Sequence, residues 1–260
     1  MSSTAGTGAS KSPAPWKAAF LEDVYKHMDS PEFVLATLHA APKGASTPYI
    51  PHARFCIFRG MWAELPENKH YDGPKNERIF ESELPTFTTD VRMEKFGEIM
   101  ESSPGGKPAG KDGVGEQSQK EGWGSGGGGP VEAVFWVKEK QIQWRVKGEA
   151  YLVGPDVEGD GEENSGVRTV KSELAKRMHI VQQGKEGDWS WATELTHHFG
   201  NLSPGMRGTI YSSSRDMLLG EMLTCTKAPS SNHLQANHGT SHTTTRTKRW
   251  ARSFPASMIQ

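Results

Sequence analysis

VEAVFWVKEKQIQWRVKGEAYLVGP, residues 131–155, is the clearest β segment in the chain. Val131, Val134, Phe135, Trp136 and Val137 lead into a polar turn at Lys138, Glu139 and Lys140. Ile142, Trp144 and Val146 then alternate with polar residues, and Ala150 and Leu152 follow beyond Gly148. Alternation of period two on both sides of a short polar turn reads as an antiparallel hairpin. A glycine inside a strand often marks a bulge, so one is expected at Gly148.

Upstream, PEFVLATLHAAP (31–42) reads as a strand bounded by Pro31 and Pro42, and YIPHARFCIFRG (49–60) returns as its hairpin partner. RIFESELPTFTTDV (78–91) has strand character interrupted at Pro85, and RMEKFGEIMES (92–102) reads as a helix. APWKAAFLEDVYKHM (14–28) carries Trp16, Phe20, Leu21 and Val24 at helical spacing, an amphipathic helix of about four turns. After the acidic loop 156–166, Val167, Val170, Leu174 and Met178 mark another helix. DWSWATELTHHFGNLSPG (188–205) marks the next, with Asp188 as expected N-cap and Gly200 near its end. The expected class is mainly β with flanking helices.

The 260 residues allow one decorated domain. With 29 Gly and 16 Pro and only 34% hydrophobic residues, much of the chain is expected to be loop. Residues 1–14 read as a disordered tail, 15–206 as the domain, 102–130 as a flexible insertion, and 207–260 as an irregular tail. The glycines of the insertion match no phosphate loop, since GxxxxGK[ST] is absent. A net charge of −1 gives no argument for nucleic acid or an anionic membrane. No apolar run approaches the ~20 residues of a membrane helix, and two cysteines make no disulfide framework. A soluble, cytoplasmic protein is expected. No metal site is expected either: His197 and His198 are adjacent, HExxH is missing, and His233, His238 and His242 lie in the tail.

Three short segments carry chemistry. In PHARFCIFRG (51–60), Arg54 and Arg59 flank the apolar run Phe55, Cys56, Ile57 and Phe58, which reads as buried. Residues five apart point to opposite faces of an ideal strand. The two arginines are therefore either surface charges or two handles on one large anion. In FTTDVRMEK (87–95), Thr88 and Thr89 precede a helix whose first turn carries Arg92 and Lys95. Hydroxyls and cations at a helix N-terminus suit a phosphate. The alternative is that Asp90 caps the helix and pairs with Arg92 or Lys95. In QWRVKG (143–148), Gln143 either reads the edge of a heteroaromatic ring or is an ordinary edge-strand glutamine.

Taken in order, these segments resemble the pyridoxamine 5'-phosphate oxidase family. RFCIFR is similar to its Arg–apolar–Lys/Arg strand, FTTDVRMEK to its aromatic-x-Thr-x5-Lys segment, and QWRVKG to its Gln-Val-Arg-Val-x-Gly strand. APWKAAFLEDV, PEFVLATLH and WATELTHHFGNLSPGMRG look more like the FMN-binding branch related to the true oxidase. The resemblance implies an antiparallel split β-barrel that binds FMN at a homodimer interface. It implies Arg54 at the phosphate or ribityl chain, the backbone of Phe55, Cys56, Ile57 and Phe58 along the flavin, and Arg59 toward the ring. Thr88, Thr89 and Lys95 would hold phosphate, with Arg92 as a further cation, and Gln143 would meet the flavin from the hairpin. Glu94 stands where the family has Arg, Met93 stands where a small hydroxyl is usual, and the family's C-terminal Trp-Arg-His motif is absent. The implied function is an FMN-dependent oxidoreductase acting on an unknown small-molecule substrate. The alternatives are a true vitamin B6 phosphate oxidase and a non-catalytic barrel that has lost its flavin.

Overall fold

A computed structural model describes residues 14–69, 71–104, 124–158, 165–212, 221–226 and 237–238. The elements begin with α1 (Lys17–His27), β1 (Glu32–Ala40), β2 (Tyr49–Met61), β3 (Phe80–Ser82), β4 (Pro85–Asp90) and α2 (Glu94–Glu101). The hairpin follows as β5 (Gly126–Val137) and β6 (Ile142–Val153). The chain continues through α3 (Ser165–Ala175), β7 (Met178–Ile180), α4 (Trp191–Gly200), α5 (Pro204–Ser212), β8 (Glu221–Thr226) and β9 (Asn237–His238).

The strands run antiparallel in the order β5-β1-β2-β4-β8-β6, and β6 pairs back onto β5, so six strands close on themselves. The closure is loose at one seam. β1 pairs over its whole length with Tyr49 to Ile57 of β2, but β2 meets β4 only from Phe58 to Met61. The ladder shifts register between Phe58 and Gly60. Before that shift, Tyr49–Ile57 present an edge with no strand partner among the described residues. Gly60 has φ +137°, and a Cβ there would lie 2.8 Å from Pro66 Cδ, so glycine is needed where β2 turns into β4.

Alternation fills the barrel. Phe33 and Leu35 of β1, Cys56 and Phe58 of β2, and Ala133 and Phe135 of β5 all point into one core. α1 lays Trp16, Phe20 and Val24 on it. The Phe20 ring meets Phe58, Phe135 and Trp144 edge-on at 4.9–5.8 Å. Asp23 fixes the helix to the hairpin by accepting from Trp144 Nε1 at 2.9 Å and Lys140 Nζ at 2.6 Å. Burial pushes its carboxyl up, but these hydrogen bonds outweigh burial and hold it below the usual range. A second cluster, around Trp62, Tyr151, Val170 and Leu195, packs α3 and α4 against the barrel.

Several local expectations change. Gly148 pairs regularly with Val131, and the register shift lies opposite, between Gly127 and Gly129 of β5. Residues Gly126–Pro130, expected in the insertion, are strand, while 105–123 and the tail 1–13 lie outside the described residues. Glu221–Thr226, within the stretch expected to be irregular, pairs with both β4 and β6. α4 is capped by Ser190, which accepts from Thr193 N at 3.2 Å, and not by Asp188. Met178 begins β7 and does not extend α3. α1 spans 11 residues, about three turns.

Phe135 is fully buried at the centre of the aromatic cluster. Phe135→Ala should lower unfolding stability by about 3–5 kcal/mol. Guanidinium titration should show this as a shifted midpoint with an unchanged slope.

Candidate functional site

Beside the open seam, α2 packs its inner face on β5 and β1, and the Glu98 side chain reaches across to β2. Phe96 and Ile99 enter the core. Lys95 and Glu98, three residues apart, share a buried face. Glu98 is the hub. Its Oε2 accepts from Thr37 Oγ1 at 2.5 Å and from Arg54 Nη2 at 2.5 Å. Its Oε1 lies 2.6 Å from His52 Nδ1 and 3.3 Å from His39 Nδ1. Arg54 also donates to Thr37 Oγ1 and, at 3.4 Å, to the Leu35 carbonyl. Burial pushes the Glu98 carboxyl up, but Thr37, Arg54 and His52 together hold it below its ordinary value.

Lys95 is treated differently. It is 8% exposed, and its ammonium lies 2.7 Å from the thioether sulfur of Met93, a weak acceptor. No carboxylate lies within ion-pair distance of Nζ among the described residues. Burial pulls its pKa down, and the charge of Arg54 adds to that pull, while Cys56, Asp90 and Glu98 act the other way. Cys56 is buried beside both cations; burial pushes its thiol up and they oppose it. Thr89 Oγ1 turns toward the same sulfur at 3.9 Å and donates to the Asp90 carbonyl at 3.4 Å. Thr88 Oγ1 is buried with no hydrogen-bond partner. Arg54, Cys56, Thr89 and Lys95 therefore form one electropositive neighbourhood.

Arg92 does not join it. The helix starts at Glu94, so Arg92 precedes the first turn and does not share its face with Lys95. Asp90 turns the chain by accepting from Arg92 N and Nε, both at 2.8 Å, and pairs with its guanidinium. That pair lowers the Asp90 carboxyl against the opposing effect of burial. Asp90 is not the N-cap; Met93 holds that position with no side-chain cap.

The odd-numbered residues of β2 lie on the outer face. Phe55, expected to be buried, is 75% exposed, and Ile57 is half-buried. Across the sheet, Phe55 pairs with Val34, Val34 with Val134, and Val134 with Arg145. Trp136, 47% exposed, pairs with Gln143 one step along. A groove of about 710 Å³ opens here, with Phe55, Val34, Val134 and Trp136 among its lining. Gln143 is three strands away from β2, roughly 14–15 Å at the usual strand spacing. Arg145 is held by Glu132 at 2.6 Å. Arg59 lies on another side again, where its charge reaches the buried His198. The chain thus brings Arg54, Thr89 and Lys95 together but brings neither Gln143 nor Arg59 to them.

Comparison with known proteins adds the family. Residues 13–154 match the family described as pyridoxamine 5'-phosphate oxidase, FMN-binding domain. The chain belongs to that family. The split-barrel fold expected from the resemblance is the one observed. Among solved structures, the chain is similar to a pyridoxamine 5'-phosphate oxidase-related, FMN binding protein from Nostoc punctiforme PCC 73102. The two share 15% identity over 84% of this chain and 82% of that one, with a TM-score of 0.37. No curated protein matches the chain. In this member of the pyridoxamine 5'-phosphate oxidase FMN-binding domain family, the residues that organise the seam, Thr37, His52 and Glu98, carry no sequence motif. The helical spacing of Glu98 from Lys95 is a signal that could have placed Glu98 on the same face; nothing in the sequence marks Thr37 or His52.

Glu98 has a depressed pKa in the fold, so its ionised form stabilises the protein above its ordinary 4.5. That contribution is lost as pH falls through the lower, folded-state value. Glu98→Gln should flatten the acid limb of the stability curve and cost on the order of 1–3 kcal/mol at neutral pH. Chemical denaturation at a series of pH values measures both effects.

Proposed function

We propose that this protein binds FMN and acts as an oxidoreductase on a small-molecule substrate, as a cytoplasmic homodimer. The observation that carries the reading is Lys95, a buried ammonium whose nearest acceptor is a thioether. A buried cation with no carboxylate in contact with it is unfavourable, and a phosphate would relieve it. The hydroxyl of Thr89, turned toward the same sulfur, lies where such a ligand would sit. Membership of an FMN-binding domain family selects FMN among phosphate esters. Met93 is half exposed, so its side chain is free to leave the ammonium.

In this reading Lys95 and Thr89 hold the phosphate, Thr88 is their neighbour on β4, and Arg54 adds charge from beside them. The open edge of β2 offers backbone groups of Phe55, Cys56 and Ile57 along the flavin. When bound, the flavin supplies the redox chemistry; the chain binds it, orients it and keeps water away. The exposed apolar outer face supports a homodimer. Phe55, Trp136, Val34 and Ile57 form a surface that a second copy would cover, and such a copy would bring in Gln143, which is too far away within one chain. Arg92 has a smaller part, because Asp90 already neutralises it.

The test is an absorbance spectrum of purified protein, before and after adding FMN and desalting. Retained flavin bands support the reading. Their absence in folded, full-length protein favours a barrel that has lost its flavin, for which the Glu98–Arg54 pair speaks. Two variants sharpen the result. Arg54→Ala and Lys95→Ala should each weaken FMN binding by about 1.5–3 kcal/mol, the value of a charge-assisted contact. Lys95→Met should also make the flavin-free protein more stable, since it removes a buried charge with no carboxylate in ion-pair contact. A Lys95→Met protein that is less stable yet binds FMN normally would assign Lys95 to structure alone.

A further inference from the structure

We propose that His39, His52 and Glu98 form a binding site for a divalent transition-metal ion. The inference is independent of the flavin reading. The three ligand atoms, two imidazole Nδ1 and one carboxylate oxygen, lie within 4.8 Å of one another. Two imidazoles and one carboxylate are the donor set of zinc and of non-haem iron, and they are too nitrogen-rich for magnesium or calcium.

The strands supply this arrangement. His39 and His52 lie on adjacent antiparallel strands, at the diagonal between the His39–Ile50 and Thr37–His52 pairs. Their rings stack at 4.4 Å with an interplanar angle of 13°. Both Nδ1 atoms turn to the same oxygen, Glu98 Oε1, at 2.6 and 3.3 Å. A tetrahedral ion with bonds of about 2.0–2.2 Å holds its ligands roughly 3.3 Å apart, so the spacing needs little adjustment. A metal must lie in the plane of each imidazole that binds it, so one of the stacked rings has to turn. His39 is 42% exposed and is the ring with room to do so.

The division of labour on Glu98 is the second observation. Oε2 is committed to Thr37 and Arg54, and Oε1 faces only the two imidazoles. A carboxylate held through one oxygen and presented through the other is how outer-shell hydrogen bonds orient a ligand. The histidines are partly exposed while Glu98 is buried, so the site has a floor of protein and a mouth open to water. Three protein ligands and an open position describe an ion able to take a water or an exogenous ligand.

The test uses full-length, tag-free protein, stripped with a chelator and then titrated with Co2+ and with Zn2+. The readouts are metal content by mass spectrometry and the visible ligand-field bands of Co2+. One ion per chain is expected, with a spectrum of four-coordinate type. His39→Ala and His52→Ala should each weaken Co2+ binding more than tenfold and change the spectrum. Thr37→Val, which removes a donor to Glu98 Oε2 and an acceptor for Arg54 without touching a ligand atom, should weaken binding by roughly 10–100-fold and leave the spectral type intact. Near-ultraviolet circular dichroism checks that every variant is folded. Absence of saturable binding by folded wild-type protein would overturn the site. So would an unaltered stoichiometry and spectrum in the His39→Ala/His52→Ala double variant, which would assign the ion to other histidines.

Discussion

Glu98 is a carboxylate that folding removes from water, and such a group stays ionised only if several donors reach it. Those donors come from two strands: Thr37 from β1, and His52 and Arg54 from β2, with His39 of β1 close by. The helix that carries Glu98 is therefore tied to the barrel at one rotation and one depth. With Glu98 fixed, helical geometry puts Lys95 on the same face one turn earlier, against the barrel and away from solvent. Ile99 and Phe96 then enter the core beside it. The buried ammonium is a consequence of how the carboxylate is satisfied, and the two groups have to be read together.

The same docking accounts for the glycine run that opens β5. The end of α2 comes so close to this strand that a Cβ on Gly129 would lie 2.5 Å from the Ile99 carbonyl oxygen. Gly127, at φ +105°, would set a Cβ 2.7 Å from the Ala150 carbonyl oxygen. These positions are strand because the neighbouring backbones demand it. A run of glycines has no side-chain period, so composition alone makes it a linker. The hairpin beyond it was legible because Phe135, Val137, Trp144 and Val146 carry the alternation explicitly. The start of α2 was not legible, because the Asp90–Arg92 turn uses residues that composition would place in the helix.

The two arginines of β2 show how far strand parity reaches. Residues 54, 56 and 58 share the inner face, which puts 55, 57 and 59 outside. An apolar run of four residues hides this, since Phe55 looks like core by type and is exposed by position. The register shift between Phe58 and Gly60 bends the chain at Arg59, but it does not carry that side chain round to the seam. Arg59 acts on His198 in the helical layer, and Arg54 acts on Glu98. The family segment was visible in the sequence. The separate neighbourhoods of its two cations follow from the three-dimensional path alone.

Charge then separates what the seam needs for itself from what it holds in reserve. Arg54 and Glu98 cancel at contact distance, and Thr37 completes the pair, so that part of the cluster is explained by stability. Arg92 and Asp90 cancel likewise at the surface. Lys95 has no such account. A hydrocarbon side chain of the same length would fill its place with no desolvation penalty, and burial already draws its pKa down. Folding tolerates this charge, whose hydrogen-bond acceptor is a thioether, beside the hydroxyl of Thr89 and a strand edge left open.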